Sequence, residues 1–399
     1  MSSSQSGVAI LGAGLFAKED LRISQSHRDT AHIPALALLS ASAPPLKAVY
    51  SRSAKSAQDF ANFSVGALSL VSAPSVYYDS PNNEKSDTDL DALLARMDIT
   101  ALVIALPIVT QPDIVLRALA AGKHVLSEKP VAPTVAEGLV LIRTYNEVYK
   151  PKGLVWRIAE NFEAEPGFRK AAEKIREGAI GKVIFFRSVV YNWIDESSKW
   201  YKTPWRTVPD YQGGFLLDGG VHTTAALRVL LPGPLMHLTG FASLNKSYLA
   251  PHDTIHALIR SSGDFHGTLE ITFASPTRER PVADGFVITG TKGWLSINQA
   301  ASTVDGKETQ VFRVKIHSVG PKQKGLDDAT QEEPTEVFEE PIKGVEVELA
   351  AFFEAIERKE GILEIGEPLE ALRDVAVIEA ALTSQGKLVD LIELVPTSL

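Results

Sequence analysis

The stretch GVAILGAGLFA, Gly7–Ala17, decides the fold of the first part of the chain. Its first five residues, GVAIL, are apolar enough for a strand that is buried on both faces of a parallel sheet. Gly12, Gly14 and Ala17 then complete the pattern G-x-G-x-x-A, which allows a tight turn, the close approach of a pyrophosphate and a closely packed helix. The stretch therefore predicts a dinucleotide-binding loop. The loop residues expected to contact a cofactor are Gly12, Gly14, Leu15, Phe16 and Ala17.

Strand-like and helix-like patterns alternate from residue 7 to about residue 150, as they do in βαβ units. They predict a Rossmann domain, which is a doubly wound parallel sheet, over residues 1–152. A capping box of Thr134 and Glu137 indicates a helix directly after the last of these strands. The polar residues 18–31 interrupt the pattern and are interpreted as an insertion of unknown role. The predicted strands are Gly7–Leu11, Leu46–Tyr50, Val76–Tyr78, Ala101–Leu106 and His124–Leu126.

The pattern changes at about residue 153. One more helix, Glu165–Gly181, leads into runs that alternate apolar and polar residues. Such runs, joined by short turns, predict a large, mostly antiparallel open sheet with helices on one face. Residues 153–399 are thus predicted to form an α+β domain that binds substrate and is closed by two tail helices, in residues 346–360 and 368–385. Residues 64–89 and 319–340, rich in Ser, Asp, Pro and Glu, are predicted to be mostly exposed loop.

Composition narrows the class of protein. With 45% hydrophobic and 22% charged residues among 399, the chain is typical of a globular protein. Its net charge of -9 and the absence of a basic run make nucleic acid and anionic membranes unexpected partners. The sequence has no cysteine, no apolar run long enough to span a bilayer and no secretory signal in MSSSQSG, so the cytoplasm is the expected location. The histidines form no ligand cluster, and no metal is expected.

The end of the second predicted strand bears on the choice between NAD and NADP. An acidic residue there would accept hydrogen bonds from the ribose of NAD. The chain instead reads VYSRS, with Ser51, Arg52 and Ser53 as the candidate contacts. Arg52 can pair with a 2'-phosphate, so NADP(H) is favoured. The alternatives left open are a surface arginine and use of NAD(H).

Two further stretches carry candidate catalytic residues. In VLSEKPVAPT, Glu128 and Lys129 follow a predicted strand at the sheet edge where open α/β sheets bind ligands, although a charged turn is more often only solvated. In GGFLLDGGVH, Asp218 and His222 are four residues apart. A helix that begins near Gly219 would place Asp218 near its N-cap and His222 in its first turn. An aspartate N-cap with an incidental histidine is the alternative.

These stretches together resemble the glucose-fructose oxidoreductase / inositol dehydrogenase (Gfo/Idh/MocA) family. AGKHVLSEKPVAPT, GGFLLDGGVH and VITGTKGWLSI are similar to its motifs, and the resemblance extends over most of the chain. It implies that Lys129 hydrogen-bonds the reacting substrate oxygen, next to a Lys–Pro bond that is cis in much of the family. It further implies that Glu128 helps to hold the nicotinamide ribose, that His222 donates or accepts the proton, and that Asp218 is the carboxylate beside it.

The sequence departs from the family pattern at two positions. ALPIVTQPD has Gln111 where many members carry a histidine after the T-P-x motif, and Ala225 stands where many carry an acid. Leu106 and Pro107, at the T-P-x position, are expected beside the cofactor. Relatives commonly pair through the open sheet, so a homodimer or homotetramer is expected. The residues expected on that open face are Phe186, Val190, Leu269 and Ile271.

The chemistry agrees with the resemblance. Hydride transfer between a carbinol and a nicotinamide moves a proton as well, which requires a group that titrates near neutrality, such as His222. A cation such as Lys129 would stabilise the developing alkoxide. We therefore expect an NADP-dependent oxidoreductase acting on a CH–OH group of a sugar, polyol or similar small molecule; the alternative is a non-catalytic dinucleotide sensor. Candidate substrate residues are Asn161, Tyr191, Trp205 and Arg206.

Overall fold

The computed structural model describes residues 6–18, 31–80, 86–281, 284–304, 306–320, 332–358 and 364–399. The predicted insertion at 18–31 therefore lies almost wholly outside the described residues. The strands are β1 Gly7–Leu11, β2 Leu46–Ser51, β3 Ser75–Tyr78, β4 Ile99–Ile104, β5 His124–Glu128, β6 Trp156–Ala159, β7 Val183–Tyr191, β8 Leu235–Ser243, β9 Thr254–Ser261, β10 His266–Thr272, β11 Gly285–Gly290, β12 Gly293–Val304, β13 Lys307–Ser318, β14 Thr335–Pro341 and β15 Val389–Asp390. The helices are α1 Leu15–Lys18, α2 His32–Leu39, α3 Ala54–Ala67, α4 Leu90–Leu94, α5 Gln111–Ala120, α6 Val135–Thr144, α7 Asn161–Ala164, α8 Pro166–Arg176, α9 Pro204–Thr207, α10 Phe215–Leu230, α11 Gly344–Glu357, α12 Pro368–Thr383 and α13 Leu391–Leu394.

The chain forms two compact units. The first unit consists of residues 1–164, 343–372 and 398–399, and the second of residues 165–342 and 373–397. The first unit thus continues past residue 152 and takes in α11, one of the two tail helices that we expected to close the second domain. Val345, Leu349, Phe352 and Phe353 of α11 are buried in the same core as Ile33 of α2. The apolar face of α11 therefore completes the N-terminal core.

The first unit contains a parallel sheet in the order β3-β2-β1-β4-β5-β6. The strand order reverses between β1 and β4: β2 and β3 lie on one side of β1, and β4, β5 and β6 lie on the other. In open α/β sheets, ligands bind at the carboxyl ends of the strands at this point of reversal. Each predicted strand of this part is present, with bounds that differ by at most two residues. The helix predicted after β5 begins as expected, because the Glu137 backbone N–H donates to the Thr134 Oγ1 at 3.2 Å. The Rossmann prediction is confirmed.

The second unit contains a mostly antiparallel sheet, with nine strands among the described residues in the order β14-β13-β12-β11-β7-β10-β9-β8-β15. β7 and β10 pair in parallel, and the other neighbours are antiparallel. Helix α8 packs on β12–β14, and α10 packs on β7 and β10. The predicted α+β class is confirmed.

β14 lies in residues that we predicted to be loop. Its sequence, TEVFEEP, is rich in acids, and this composition hid the strand. The acids are paired with cations: the Glu339 Oε1 accepts from the Arg313 Nε at 2.7 Å, and the Glu340 Oε1 accepts from the Lys170 Nζ at 2.7 Å. Acids at a sheet edge are also a usual protection against unwanted strand pairing.

The prediction of which residues lie on the open face of this sheet was wrong. Phe186, Leu269 and Ile271 are buried, and Val190 is half-buried. Ile271 lies against α10, where a side chain at Gly220 would meet it. The exposed apolar side chains of this sheet include Phe185 on β7, Leu258 on β9 and Phe241 on β8. Alternation along a strand identifies two faces, but it does not tell which face the helices cover.

Candidate active site

The glycine loop of the first unit has the geometry that a dinucleotide requires. Gly12 has φ +111°, and a Cβ on it would lie 2.1 Å from the Ala105 carbonyl oxygen, so only glycine fits. A Cβ on Gly14 would meet nothing within 4 Å. The space above Gly14 is where a pyrophosphate would approach the backbone. Phe16 is half-buried in α1, and Ala17 of the same helix is fully buried.

The end of β2 presents an exposed cation and no acid of its own. Ser51 is half-buried, Arg52 is exposed, and the Ser53 Oγ caps α3 by accepting from the Ser56 backbone N–H at 3.2 Å. Directly after the neighbouring strand β3, the Asp79 Oδ1 accepts a hydrogen bond from the Tyr50 hydroxyl at 2.7 Å. Burial and this hydrogen bond raise the pKa of Tyr50, which therefore stays protonated.

Glu128 and Lys129 lie at the same sheet edge as the glycine loop, two strands away from it. Glu128 is the last residue of β5 and is buried, whereas Lys129 is half-buried. The Lys129–Pro130 peptide bond is cis, as the resemblance implied. Leu106 and Pro107 follow β4 in half-buried positions. The predicted cofactor residues of the first unit thus share the carboxyl edge of its sheet.

Glu128 is held by hydrogen bonds from two buried side chains, those of His32 and Gln111. Neither contact was predicted from the sequence. The His32 Nε2 lies 2.8 Å from the Glu128 Oε1, and the Gln111 Nε2 donates to the Glu128 carbonyl oxygen at 3.0 Å. The His32 ring also packs edge-on against Phe16, with centroids 5.4 Å apart. In the sequence, Gln111 stands out only as a departure from the family pattern. No sequence pattern singles out His32, which the structure places at the start of α2.

In the second unit, α10 begins earlier than predicted. Gly213 and Gly214 have φ values of +70° and +53°, and they form the turn that starts the helix at Phe215. Asp218 is therefore in the first turn rather than at the N-cap, and His222 is one turn further on. The N-cap alternative was wrong as well. Side chains at the spacing i, i+4 share a helix face, so Asp218 and His222 lie on the same side of α10.

Asp218 is held by Arg206 of α9. The Arg206 Nε donates to the Asp218 Oδ2 at 2.6 Å, and both side chains are largely buried. The guanidinium also lies over Trp205, 4.0 Å from the ring centroid, and 5.2 Å from that of Trp200. The Tyr211 ring lies 6.0 Å from that of Trp205, and burial, followed by the charge of Asp218, raises the pKa of Tyr211. Two of the predicted substrate residues thus form an aromatic and charged cluster with Asp218.

The other predicted substrate residues lie elsewhere in the two units. Asn161 begins α7 in the first unit and is half-buried. Tyr191 ends β7 in the second unit, and its backbone N–H donates to the Asp284 Oδ1 at 2.8 Å. Among the described residues, no group of three or more His, Asp or Glu side chains is placed to hold a metal ion. In the same residues, no helix has the length and apolarity needed to cross a bilayer.

Comparison with known proteins identifies the family of the chain. A family model described as an oxidoreductase family with an NAD-binding Rossmann fold matches residues 6–150, and one for the GFO/IDH/MocA C-terminal domain matches residues 168–296. The dehydrogenase FPY6 of Fusarium mangiferae is 34% identical over 386 residues, which are 95% of this chain and 96% of that protein. The chain belongs to the Gfo/Idh/MocA family of oxidoreductases.

Solved structures of other oxidoreductases share this fold. An oxidoreductase from Thermotoga maritima has a TM-score of 0.75 and 27% identity, with 98% of this chain and 99% of that one covered. A levoglucosan dehydrogenase in complex with NADH and levoglucosan has a TM-score of 0.69 and 21% identity, with 98% and 99% covered. The levoglucosan dehydrogenase of Pseudarthrobacter phenanthrenivorans is 31% identical over 150 residues, 37% of each chain. The prediction of an NAD(P)-dependent oxidoreductase is confirmed at the level of the family.

Proposed function

We propose that this Gfo/Idh/MocA oxidoreductase transfers hydride between NADP(H) and the carbinol or carbonyl carbon of a sugar, polyol or similar small molecule. The observation that carries the proposal is that the predicted cofactor and catalytic residues of the first unit lie together at the carboxyl ends of its parallel strands. Glu128 and Lys129 follow β5 at that edge, and the open space above Gly14 lies at the same edge. A bound nicotinamide would supply or accept the hydride there. The second unit would bind substrate.

The proposed catalytic residues are Lys129, His222 and Asp218. Lys129 donates a hydrogen bond to the reacting oxygen and stabilises negative charge that develops on it. His222 exchanges the proton that accompanies the hydride. Asp218 shares a face of α10 with His222, and its bond to Arg206 fixes the orientation of its carboxylate. Arg206 thus supports the site through Asp218.

The preference for NADP(H) rests on Arg52. Its side chain is exposed at the end of β2, where it is available to a 2'-phosphate. Ser51 precedes it, and Ser53 is used as the cap of α3, which leaves Arg52 as the main candidate contact. Asp79, the acid that directly follows the neighbouring strand β3, accepts a hydrogen bond from the Tyr50 hydroxyl. One oxygen of the Asp79 carboxylate is therefore already used as a hydrogen-bond acceptor, which makes this acid less suited to accept hydrogen bonds from the ribose hydroxyls of NAD.

The substrate class rests on chemistry and on relatives. Trp200 and Trp205 beside the Arg206–Asp218 pair combine flat apolar rings with charged hydrogen-bonding groups, a combination that suits a sugar. The levoglucosan dehydrogenases are relatives whose name states that they act on an anhydrosugar.

A homodimer or homotetramer that forms through the exposed sheet face of the second unit is also part of the proposal. The cysteine-free sequence supports a cytoplasmic location.

The experiment has two stages. Titration of NADPH and NADH fluorescence measures the Kd of each cofactor, and we expect tighter binding of NADPH. Turnover is then measured with a panel of aldoses, anhydrosugars, polyols and small aldehydes, and we expect at least one substrate. Cofactor binding without turnover on any member of the panel would favour the sensor alternative. Failure to bind either cofactor would contradict both functions.

A further inference from the structure

We propose that His32 is a positioning residue that sets the affinity of the first unit for the nicotinamide cofactor. It does so by fixing Glu128 and by contacting the glycine loop through Phe16. The inference rests on the proposed function for the identity of the ligand. It concerns binding, however, and it is measurable whether or not a substrate is found.

The contacts of His32 join two parts of the cofactor edge that are far apart in sequence. The His32 side chain is fully buried, at 0% exposure, and its Nε2 lies 2.8 Å from the Glu128 Oε1. The same ring packs against Phe16 at 82°, with centroids 5.4 Å apart. Phe16 belongs to the G-x-G-x-x-A loop, and Glu128 immediately precedes Lys129. One rigid ring thus contacts both helix α1, in which the G-x-G-x-x-A motif ends, and the last residue of β5.

Gln111 fixes Glu128 from a second direction. Its Nε2 donates to the Glu128 carbonyl oxygen, and Gln111 is itself buried. The carboxylate of Glu128 is therefore tied by His32, and its main chain by Gln111. Since a strand end held at both its side chain and its backbone loses most of its freedom, the position of the next residue, Lys129, is restricted as well.

Packing alone does not account for a histidine at this position. A phenylalanine would fill the same space and would keep the edge contact with Phe16. The histidine instead buries two ring nitrogens. Its Nδ1, like the Gln111 Oε1, has no hydrogen-bond partner among the described residues. Burying an unsatisfied polar atom is costly, and exceptions call for a functional reason. The reason offered by this geometry is the bond to the Glu128 carboxylate.

The decisive variant is His32→Phe, which removes the hydrogen bond and keeps an aromatic ring. We expect the Kd for NADPH, from fluorescence titration, to rise about tenfold, the size of one lost hydrogen bond to a charged group. His32→Gln keeps an N–H donor and should recover part of the loss. The matched control is Leu38→Ala on the same helix α2, where the side chain is 59% exposed, and its Kd should be unchanged.

A double-mutant cycle with Glu128→Gln tests whether His32 acts through Glu128. If it does, the double variant with His32→Phe should bind NADPH no more than about twofold worse than Glu128→Gln alone. Full multiplication of the two losses would overturn the proposal. So would an unchanged Kd in a His32→Phe protein with a native circular dichroism spectrum. If His32→Phe does not fold, His32→Leu takes its place with the same criteria. Absence of turnover on every substrate would contradict the proposed function and leave these binding criteria unaffected.

Discussion

At the scale of single residues, Lys129 carries most of the proposed chemistry. Methionine matches the lysine stem in length and removes the ammonium group. We expect Lys129→Met to lower kcat by about 10²- to 10⁴-fold, because the negative charge that develops on the reacting oxygen is no longer stabilised by a hydrogen bond from the ammonium group. The Kd for NADPH should stay within about twofold of the parent value. Steady-state kinetics and fluorescence titration give the two numbers.

Lys55→Met is the control for Lys129→Met. Lys55 is an exposed lysine of α3 that pairs with Asp59, and its replacement should change neither kcat nor Kd. Equal losses of kcat and of NADPH affinity in Lys129→Met would contradict the assigned role, since they would mean that the lysine serves mainly to bind the cofactor.

Arg52 decides the proposed preference for NADP(H). An aspartate at this position would repel a 2'-phosphate and could accept hydrogen bonds from the free ribose hydroxyls of NADH. We expect Arg52→Asp to weaken NADPH binding by about 10²-fold and to strengthen NADH binding, so that the preference reverses. Arg260→Asp, an exposed arginine of the second unit, is the control. A parent protein that already prefers NADH would instead point to Asp79 and Tyr50 as the ribose contacts.

The residues of the candidate site differed in how far sequence could locate them. Gly12 and Glu128 belong to local patterns, and a strand followed by a turn fixes their place at a sheet edge. The partner of Glu128 does not follow from any local pattern, because His32 is 96 positions away and meets it only after the parallel sheet has formed. The bond between Arg206 and Asp218 was missed for a similar reason, since it depends on where α9 and α10 begin.

At the scale of elements, the loop after β1 allows cofactor binding to be separated from folding. A methyl group on Gly14 meets nothing in the protein, whereas one on Gly12 meets a backbone carbonyl in a positive-φ conformation. We expect Gly14→Ala to keep the parent Tm and to weaken NADPH binding at least tenfold, because the methyl group occupies the space of the pyrophosphate. Gly12→Ala should lower the Tm as well as the affinity.

Thermal unfolding and fluorescence titration on the two glycine variants provide the measurement, and each variant is the control for the other. A Gly14→Ala protein with parent affinity would mean that the dinucleotide does not pass over this loop. A Gly12→Ala protein with parent stability would contradict the close approach of Gly12 to the Ala105 carbonyl oxygen.

The start of α10 illustrates why element boundaries were harder to predict than element types. The sequence has two glycine pairs, and its pattern predicts that the helix starts near the second pair. The structure uses the first pair, Gly213 and Gly214, for the turn. Gly219 and Gly220 lie inside the helix, where side chains would strike Phe273 and Ile378. Either pair has the backbone freedom to begin a helix, and only the packing against the sheet and α12 distinguishes them.

At the scale of the whole molecule, the two sheets were predicted and the path of the tail was not. Helical periodicity identified α11, but its apolar residues carry no mark of the core that will bury them. Phe352 and Phe353 join the core of the first unit, although many strands of the second unit separate them from it in sequence. The return of the chain to the first unit at α11 depends on contacts between residues far apart in sequence, which the periodicity of apolar residues along the chain cannot specify.

The nine-stranded sheet leaves apolar side chains exposed on the face away from its helices. Leu258 and Phe241 are 56% and 68% exposed, and Phe185 is also exposed. The strand register places them on one face: Leu258 lies opposite Thr268 and Thr239, Thr268 lies opposite Arg187, and Arg187 shares its side of β7 with Phe185. Leu258 and Phe241 lie on adjacent strands of this face, and adjoining exposed apolar side chains are typical of a surface that binds a partner.

This face is the surface through which we propose that copies of the chain associate. Light scattering coupled to size-exclusion chromatography should give the mass of a dimer or tetramer, compared with 43.2 kDa for one chain. Leu258→Asp combined with Phe241→Asp should shift the mass toward that of a monomer, because charges would have to be buried in the interface. Val71→Asp, at a fully exposed position of the first unit, should leave the mass unchanged. A parent protein that elutes as a monomer at all concentrations would contradict the association, and an unchanged oligomer in the double variant would place the interface on another surface.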